Sequence, residues 1–543
     1  MRTRLYITAF LLLGAFIFLF GLGDMALTDP DESFYAETAR EMLAEGEWGT
    51  PLIFGEPQFE KPALFYWLVK SSFMVFGVNE FAARFPSVIL ALLGLLGIFL
   101  LGRIFFSEKC GFLAAVIAAT SMKYVVLARA CVTDMALMVF ILFVFVFFFL
   151  GWRKEKKLYF ILASASMGLA VLTKGPIGLL IPGLVLLIYL SVSRQWGSFG
   201  KIPVISCVLA FLAAALPWYL YAYITHGERF LSEFFGFQNV TRFLVPEHRI
   251  GDSPFFYIPI VLAGFFPWTV FLPVSLWDHL RSKGKKDALV PGVKGFLLTW
   301  FLVVFVFFSI SRTKLVTYIF PLFPVLPLIM ARTWERILSG EGAISRRDSW
   351  IGASMGFFTF SVAAGFAVGY YICLDRYGVS LHPMIPWVAF LVFLGCVSVF
   401  FSIKRQQAKA FSVIVLLVAL TIVPVTFHAF SVIDAFESSK YLSLRYKDLS
   451  REGEEVGGEC DHRRGIAFYA RTTEVQDIHP YHALKEFTAR EDRVWCILQE
   501  KHYAQLDREQ PGRMSDPIAS SGEYVLVTNR GDDAGKYQVI RIE

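Results

Sequence analysis

FILFVFVFFFLGW (140–152) is apolar at every position. Wound into a helix it has no polar side, so it cannot lie on the surface of a water-soluble domain. With MALMV (135–139) ahead of it the run reaches about 18 residues, enough to cross a hydrocarbon core. Runs of about 18 to 22 apolar residues recur along the chain, and Phe alone supplies 56 of 543 residues. Charged residues make up 18%, against about 25% in soluble proteins, and mean hydropathy is +0.56. The sequence reads as an all-α polytopic membrane protein.

Working outward, about thirteen spans emerge: 5–23, 86–106, 111–129, 132–151, 158–173, 176–193, 202–225, 256–276, 294–311, 315–333, 351–373, 385–403 and 409–430. The first, in MRTRLYITAFLLLGAFIFLFGLG (1–23), has a basic start like a signal peptide. Its apolar run is longer than usual for one and no small-residue cleavage site follows, so it reads as an uncleaved span. Loop charges test the order. With a cytoplasmic N-terminus alternate loops should be basic. They are, at Arg153/Lys154/Lys156/Lys157, Arg194/Lys201, Arg281/Lys283/Lys285/Lys286, Arg336/Arg346/Arg347 and Lys404/Arg405/Lys409. The net charge of +6 is thus the charge of inner loops and points to no nucleic acid. The expected setting is a lipid bilayer.

This order divides the chain into a transmembrane domain, 1–433, with outer loops 24–85 and 226–255, and an α/β domain outside the membrane, 434–543. The first loop is acidic, with eleven Asp/Glu against four Lys/Arg over 24–84. Within it, ESFYAETAREMLAEG (32–46) spaces Phe34, Tyr35, Ala39, Met42 and Leu43 as one helical face, which predicts an amphipathic helix at the membrane surface. PALFYWLVKSSFMVFG (62–77) is too short to span and carries Lys70, so it predicts an interfacial or re-entrant helix. The tail alternates short apolar runs, GIAFYA (465–470), RVWCILQ (493–499), EYVLVTN (523–529) and YQVIRIE (537–543), with helix-like segments such as SKYLSLRYKDLSRE (439–452). Of seven cysteines, five lie in or beside apolar runs and none forms a CxxC pair. Cys460 and Cys496 in the tail can pair if it faces an oxidising compartment.

Charge at the edge of a bilayer is costly, so clusters there invite a functional reading. Five fall on the outer side. Asp31 and Glu32 open the surface helix, either as first-turn carboxylates favoured by the helix dipole or, for Asp31, as a general base or acceptor-binding group. Glu60 and Lys61 precede a helix-opening proline. Lys61 can hold a phosphate or snorkel to the interface, and Glu60 can orient it or ligate a divalent metal, zinc or magnesium. Arg129 and Asp134 flank an outer turn, as a functional carboxylate or a structural pair. The stretch FFGFQNVTRFLVPEHRIGDSPFFY (234–257) brings Arg242, Glu247, His248 and Arg249, a single His giving no metal spacing by itself. Finally Arg312, Lys314 and Tyr318 either clamp a lipid phosphate or anchor the chain at the interface. Cations to stabilise a departing phosphate, with carboxylates for sugar hydroxyls or an acceptor, suit a lipid-phosphate substrate.

DPDESFYAETAREMLAEGEWGTPLIFGEPQFEKPALFYWLVKSSFMVFGVNEFAARFPS (29–87) resembles the first periplasmic loop of bacterial aminoarabinose transferases, which belong with protein O-mannosyltransferases in the GT-C class. RACVTDMALM (129–138), the LTKGP turn (172–176), RF…PEH…PFFY (242–257) and SRTKLVTYIFP (311–321) extend the likeness over most of the membrane part. The resemblance implies an inverting glycosyltransferase that moves a sugar from a polyprenyl phosphate to a lipid, glycan or protein acceptor, lipid A among them, on the periplasmic face. It maps catalytic carboxylates onto Asp31 and Asp134, the phosphate-contacting lysine onto Lys61 with Tyr318 nearby, an arginine contact onto Arg242 or Arg249, and metal ligands onto Glu60 and His248. The alternative is a transporter or flippase of lipid-linked sugars, which should carry charges at mid-membrane on broken helices and inverted repeats. An assembly subunit, the third reading, would not need Asp31, Glu60 and Lys61 together.

Overall fold

The computed structural model describes all residues except 195–199, 201, 243–252, 282–291, 340–353, 355, 358, 362–363, 366, 369, 372–373, 376–381, 460–461, 531–539 and 543. Its helices follow the apolar runs. α1 (Arg2–Leu19) leads to α2 (Asp31–Ala44), a hairpin of β1 (Leu52–Ile53) and β2 (Glu56–Pro57), and α3 (Leu64–Phe76). The bundle continues through α4 (Glu80–Phe105), α5 (Glu108–Ala119), α6 (Met122–Ala128), α7 (Asp134–Lys154), α8 (Lys157–Lys174), α9 (Ile177–Ser193) and α10 (Val204–Phe230). Among the described residues eight helices are long and apolar enough to cross a membrane, or up to ten if each of two bent pairs is one span. The expected span 111–129 bends by 70° between α5 and α6, and 256–276 bends by 104° between Tyr257–Gly264 and Trp268–His279. At the first bend the Thr120 and Ser121 hydroxyls donate to the carbonyls of Val116 and Ile117, each at 2.7 Å, a local alternative to the helical ladder. At the second, Pro267 lacks the N–H a continuing helix needs. The expected span 315–333 opens with a single 3-10 turn, Phe320–Leu322, before the helix Val325–Leu338, because Pro321, Pro324 and Pro327 crowd its start. Of the 23 residues of the expected span 351–373, 11 lie outside the described residues.

α7 carries the all-apolar stretch and packs between α4 and α8, with Asp134 in its first turn and Arg153 and Lys154 in its last, each complementing the helix dipole. Lipid is as apolar as these side chains, so close packing rather than the hydrophobic effect must hold such helices together. Aromatic rings do much of this: Phe145 meets Trp300 at 4.6 Å and Phe149 meets Phe296 at 4.7 Å between ring centroids. At the α8–α9 turn the backbones nearly touch. A Cβ on Gly178 would lie 2.3 Å from the Ala170 carbonyl carbon, so only glycine lets α9 fold back this tightly beside Lys174.

α2 forms where the spacing predicts it, but it does not lie on the surface with one polar side in water. Glu32, Glu37, Thr38 and Glu41 are as buried as its apolar residues. The reason is the C-terminal domain, whose helix Arg463–Ala470 packs on α2 from the other side. That helix contains GIAFYA, expected among the alternating runs of a strand. Ile466, Ala467 and Ala470 enter the core of the C-terminal domain while Phe468 and Tyr469 enter the core of the bundle. A helix buried on both sides shows neither period in its sequence.

The other tail runs become strands in a six-stranded sheet of order β4-β3-β5-β7-β6-β8. They are β3 (Val456–Gly458), β4 (Val475–Asp477), β5 (Trp495–Gln499), β6 (Ala519–Ser521), β7 (Tyr524–Thr528) and β8 (Ile540–Ile542). β4, β3 and β5 run parallel, β5, β7 and β6 antiparallel, and β8 parallel to β6. Cys496 is buried within β5, and Cys460 lies outside the described residues.

Candidate active site

The site forms where the first loop meets the N-terminus of α7 and the C-terminus of α8. A buried clamp holds the first loop there. Arg84 on α4 donates to both oxygens of Glu32, at 2.8 Å from Nε and 2.6 Å from Nη2. It also donates to the carbonyls of Leu22, Met25 and Ala26. Glu32 further accepts from the Cys131 amide at 2.8 Å and from the Thr28 amide at 3.1 Å. Burial pushes the Glu32 carboxyl up, but Arg84 and these hydrogen bonds outweigh it and leave it below the usual carboxylate range. Glu32 thus locks the start of α2 to α4 and to the turn before α7.

With the clamp set, the neighbouring Asp31 stays exposed, in a recess ringed by charge. Partial burial raises its carboxyl above the usual range and Asp134 raises it further, while Arg464, Lys174 and Lys61 pull it down. Asp134 is buried at the first turn of α7, and its partner is Lys174, 2.7 Å away at the end of α8, not Arg129. Arg129 instead donates to the carbonyls of Ile17, Phe18, Phe20 and Gly21, satisfying the C-terminal end of α1.

A cavity of about 420 Å³ opens beside these groups. Its lining includes the polar Glu60, Lys61, Lys174, Arg242 and Tyr318 and the apolar Leu137, Ile177, Leu180, Phe234, Phe235, Phe307 and Phe308. Lys61 Nζ donates to the Glu60 carbonyl at 3.1 Å. Burial brings the Lys61 ammonium down to about 8; Glu60 and Asp134 resist this, and the positive Arg242 and Lys174 reinforce it. Lys174 Nζ also sits 4.8 Å over the Tyr318 ring, and Arg242 donates to Gln238 at 2.6 Å. Crowded cations beside one lipophilic wall are unfavourable alone and are relieved by an anion carried on an apolar chain.

Of the sequence-predicted site residues, Glu60, Lys61, Arg242 and Tyr318 line this cavity, and Asp31 and Asp134 border it through their charges. Lys314 is buried in its turn and is not part of the lining, to which Ser311 and Thr313 contribute instead. His248 and Arg249 lie outside the described residues. Two further residues enter the site. Lys174 had a signal, being the one charge in the LTKGP turn between two apolar helices. Arg464 had none. It reaches in from the C-terminal domain, with Nη2 3.3 Å from Glu60 Oε1. Among the described residues no three His, Cys, Asp or Glu side chains come together. Of the two expected metal ligands, Glu60 meets the Arg464 guanidinium and His248 lies outside the described residues.

Residues 60–221 match the family model for dolichyl-phosphate-mannose-protein mannosyltransferase. An undecaprenyl phosphate-alpha-4-amino-4-deoxy-L-arabinose arabinosyl transferase of Edwardsiella ictaluri is 32% identical over 66% of the chain and 63% of its own length. The chain thus spans somewhat under two thirds of that relative. An uncharacterized protein of Aquifex aeolicus is 30% identical over 70% of the chain and 72% of its own length. In fold, the chain is similar to the crystal structure of ArnT from Cupriavidus metallidurans bound to undecaprenyl phosphate. That match has a TM-score of 0.78 at 20% identity and covers 98% of this chain and 99% of the other.

Proposed function

We propose that the chain belongs to the GT-C glycosyltransferase family of the bacterial aminoarabinose transferases and is an inverting transferase drawing its sugar from a polyprenyl phosphate. The names of its relatives support undecaprenyl phosphate-4-amino-4-deoxy-L-arabinose as the donor. The acceptor is a membrane-borne molecule, lipid A in the first instance, and the site faces the periplasm with the N-terminus cytoplasmic and the C-terminal domain periplasmic. The chain works as a monomer in the inner membrane.

The observation that carries this reading is the cavity. Three cations, Lys61, Lys174 and Arg242, line one largely apolar trough, and two carboxylates, Asp31 and Asp134, stand near them. The trough suits a prenyl chain and the cations suit its phosphate. In the reaction the acceptor oxygen bonds to the sugar's anomeric carbon from the face opposite the phosphate, while the carbon–phosphate-oxygen bond breaks and its electron pair leaves with the phosphate. The cations stabilise the charge gathering on that phosphate. Asp31, exposed near these cations, engages the acceptor and takes up a hydroxyl proton where there is one. Asp134, held by Lys174, keeps that lysine aimed at the phosphate. The charges gather at helix ends, at the start of α7 and the end of α8, and not at mid-membrane as a transporter would need.

The test uses purified protein in lipid nanodiscs with undecaprenyl phosphate-4-amino-4-deoxy-L-arabinose and lipid A, reading released undecaprenyl phosphate and modified lipid A. We expect transfer by the wild type. Asp31→Asn should lose about 10²- to 10⁴-fold in kcat yet still bind undecaprenyl phosphate. Movement of the donor across liposomes without release of undecaprenyl phosphate would overturn the reading in favour of a transporter.

A further inference from the structure

Arg464 enters the site from about 400 residues away in sequence, on the C-terminal domain. Its approach depends on how that domain is docked. The Ala26 amide donates to Asp434 at 2.9 Å, the Leu27 amide to the Tyr469 hydroxyl at 2.7 Å, and the Asp29 amide to the Glu437 carbonyl at 2.8 Å. Ser439 donates to Asp29 from both its amide and its hydroxyl, at 2.9 and 2.7 Å. Lys440 pairs with Glu80 at 2.5 Å. All of these anchor the few residues immediately before α2 or the start of α4. Contact is so close that a Cβ on Gly465 would lie 2.4 Å from Asp29 Oδ1. The domain therefore grips the chain two residues ahead of Asp31, and Arg464 stands next to that grip.

Two contacts then aim the guanidinium. It stacks over the buried Phe34 ring at 4.5 Å, and Nη2 reaches Glu60. Phe34 lies three residues after Asp31 on α2, which puts both on one side of the helix. An arginine lying across Phe34 and reaching Glu60 is thus a neighbour of Asp31. The other cations near Asp31 have partners of their own, Lys174 on Asp134 and Lys61 on the Glu60 carbonyl within the cavity. We propose that the C-terminal domain completes the transfer site, with Arg464 as a positioning residue that holds the Asp31 and Glu60 carboxylates in place for the acceptor. This rests on the transferase reading above and adds to it a division of labour: the bundle binds the donor phosphate, and the docked domain sets the carboxylates opposite. The charges facing Asp31 come from four directions, Asp134 on α7, Lys174 on α8, Lys61 in the first loop and Arg464 on the C-terminal domain, and among the cations Arg464 pulls the carboxyl down most.

Full-length Arg464→Gln and Arg464→Lys test this in the same nanodisc assay, with undecaprenyl phosphate binding measured separately. For the glutamine variant we expect kcat to fall about 10- to 100-fold, and undecaprenyl phosphate affinity to stay within about twofold. The acid limb of its kcat profile should move to higher pH, because Asp31 loses its strongest counter-charge. Arg464→Lys should recover much of kcat and of the pH profile, which a purely mechanical docking role would not do. A glutamine variant with unchanged kcat and acid limb, a loss confined to undecaprenyl phosphate binding, or a lysine variant no better than glutamine would each overturn the proposal. A wild type that releases no undecaprenyl phosphate would overturn the transferase reading instead, which keeps the two failures apart.

Discussion

Replacing Arg84 by methionine should show how the first loop is held. Both side chains of the Arg84–Glu32 pair are almost completely buried, at 3% and 6% exposure. Removing one partner of such a pair costs about 3–5 kcal/mol, because the other is left charged without compensation. Glu32 can limit this by taking up a proton. The cost of neutralising a carboxyl of ordinary pKa near 4.3 at pH 7 is about 3.7 kcal/mol, and it falls by about 1.4 kcal/mol for each pH unit toward acid. The sign differs between the two proteins. In the wild type Glu32 is held below its ordinary value, so its contribution is present above that value and is lost as pH falls through the lower folded one. In Arg84→Met burial is opposed only by the Cys131 and Thr28 amides and outweighs them, so the folded value lies above the unfolded one and stability falls as pH rises. Denaturation by sodium dodecyl sulfate at about pH 6, 7 and 8 should therefore show a deficit of about 3–4 kcal/mol at pH 7 that narrows toward acid. Glu32→Gln added to Arg84→Met should recover part of it, since no charge then remains to be buried. A deficit of under about 1 kcal/mol, or one that does not change with pH, would refute the assignment of Glu32 as a buried ion held by Arg84.

Lys61 gives a pH dependence of binding: burial, with Arg242 and Lys174 adding to it, brings its ammonium to about 8, so its charge is present below that pH and lost above it. Undecaprenyl phosphate affinity should fall between about pH 7 and 9, and Lys61→Arg, charged throughout, should flatten the profile; an equal slope in both proteins would count against a phosphate contact. Lys174→Met removes a cavity cation and strands Asp134, so undecaprenyl phosphate affinity should drop by about tenfold or more together with thermal stability, and unchanged affinity would exclude Lys174 from the phosphate site.

The parts of the fold and site legible in the sequence share a local cause. A charge in a long apolar run is expensive wherever the chain goes, so Asp134, Lys61 and Arg242 stand out at the ends of such runs without knowledge of their partners. The helix at 31–44 was legible from its spacing for the same reason. Lys174 was visible in LTKGP but read as a turn, because its role depends on α9 folding back at Gly178 and on Asp134 lying opposite. GIAFYA misled because a helix packed on two sides has no polar face to betray its period.

By itself the sequence determined that the chain crosses a membrane many times, and it predicted which loops share a side and which charges sit there, since hydropathy and loop charge act over a few residues at a time. Only the tertiary structure decided which charges are partners. Asp134 went to Lys174 and not to Arg129, Glu32 to Arg84, and Glu60 to Arg464 on the C-terminal domain. Those pairings join segments from 40 to about 400 residues apart, and they follow from where docked helices bring side chains within 2.6 to 3.3 Å, a distance no local pattern encodes. The sequence predicts the acidic first loop to be an outer loop; the clamp on one side of it and the C-terminal domain on the other make it a candidate active site.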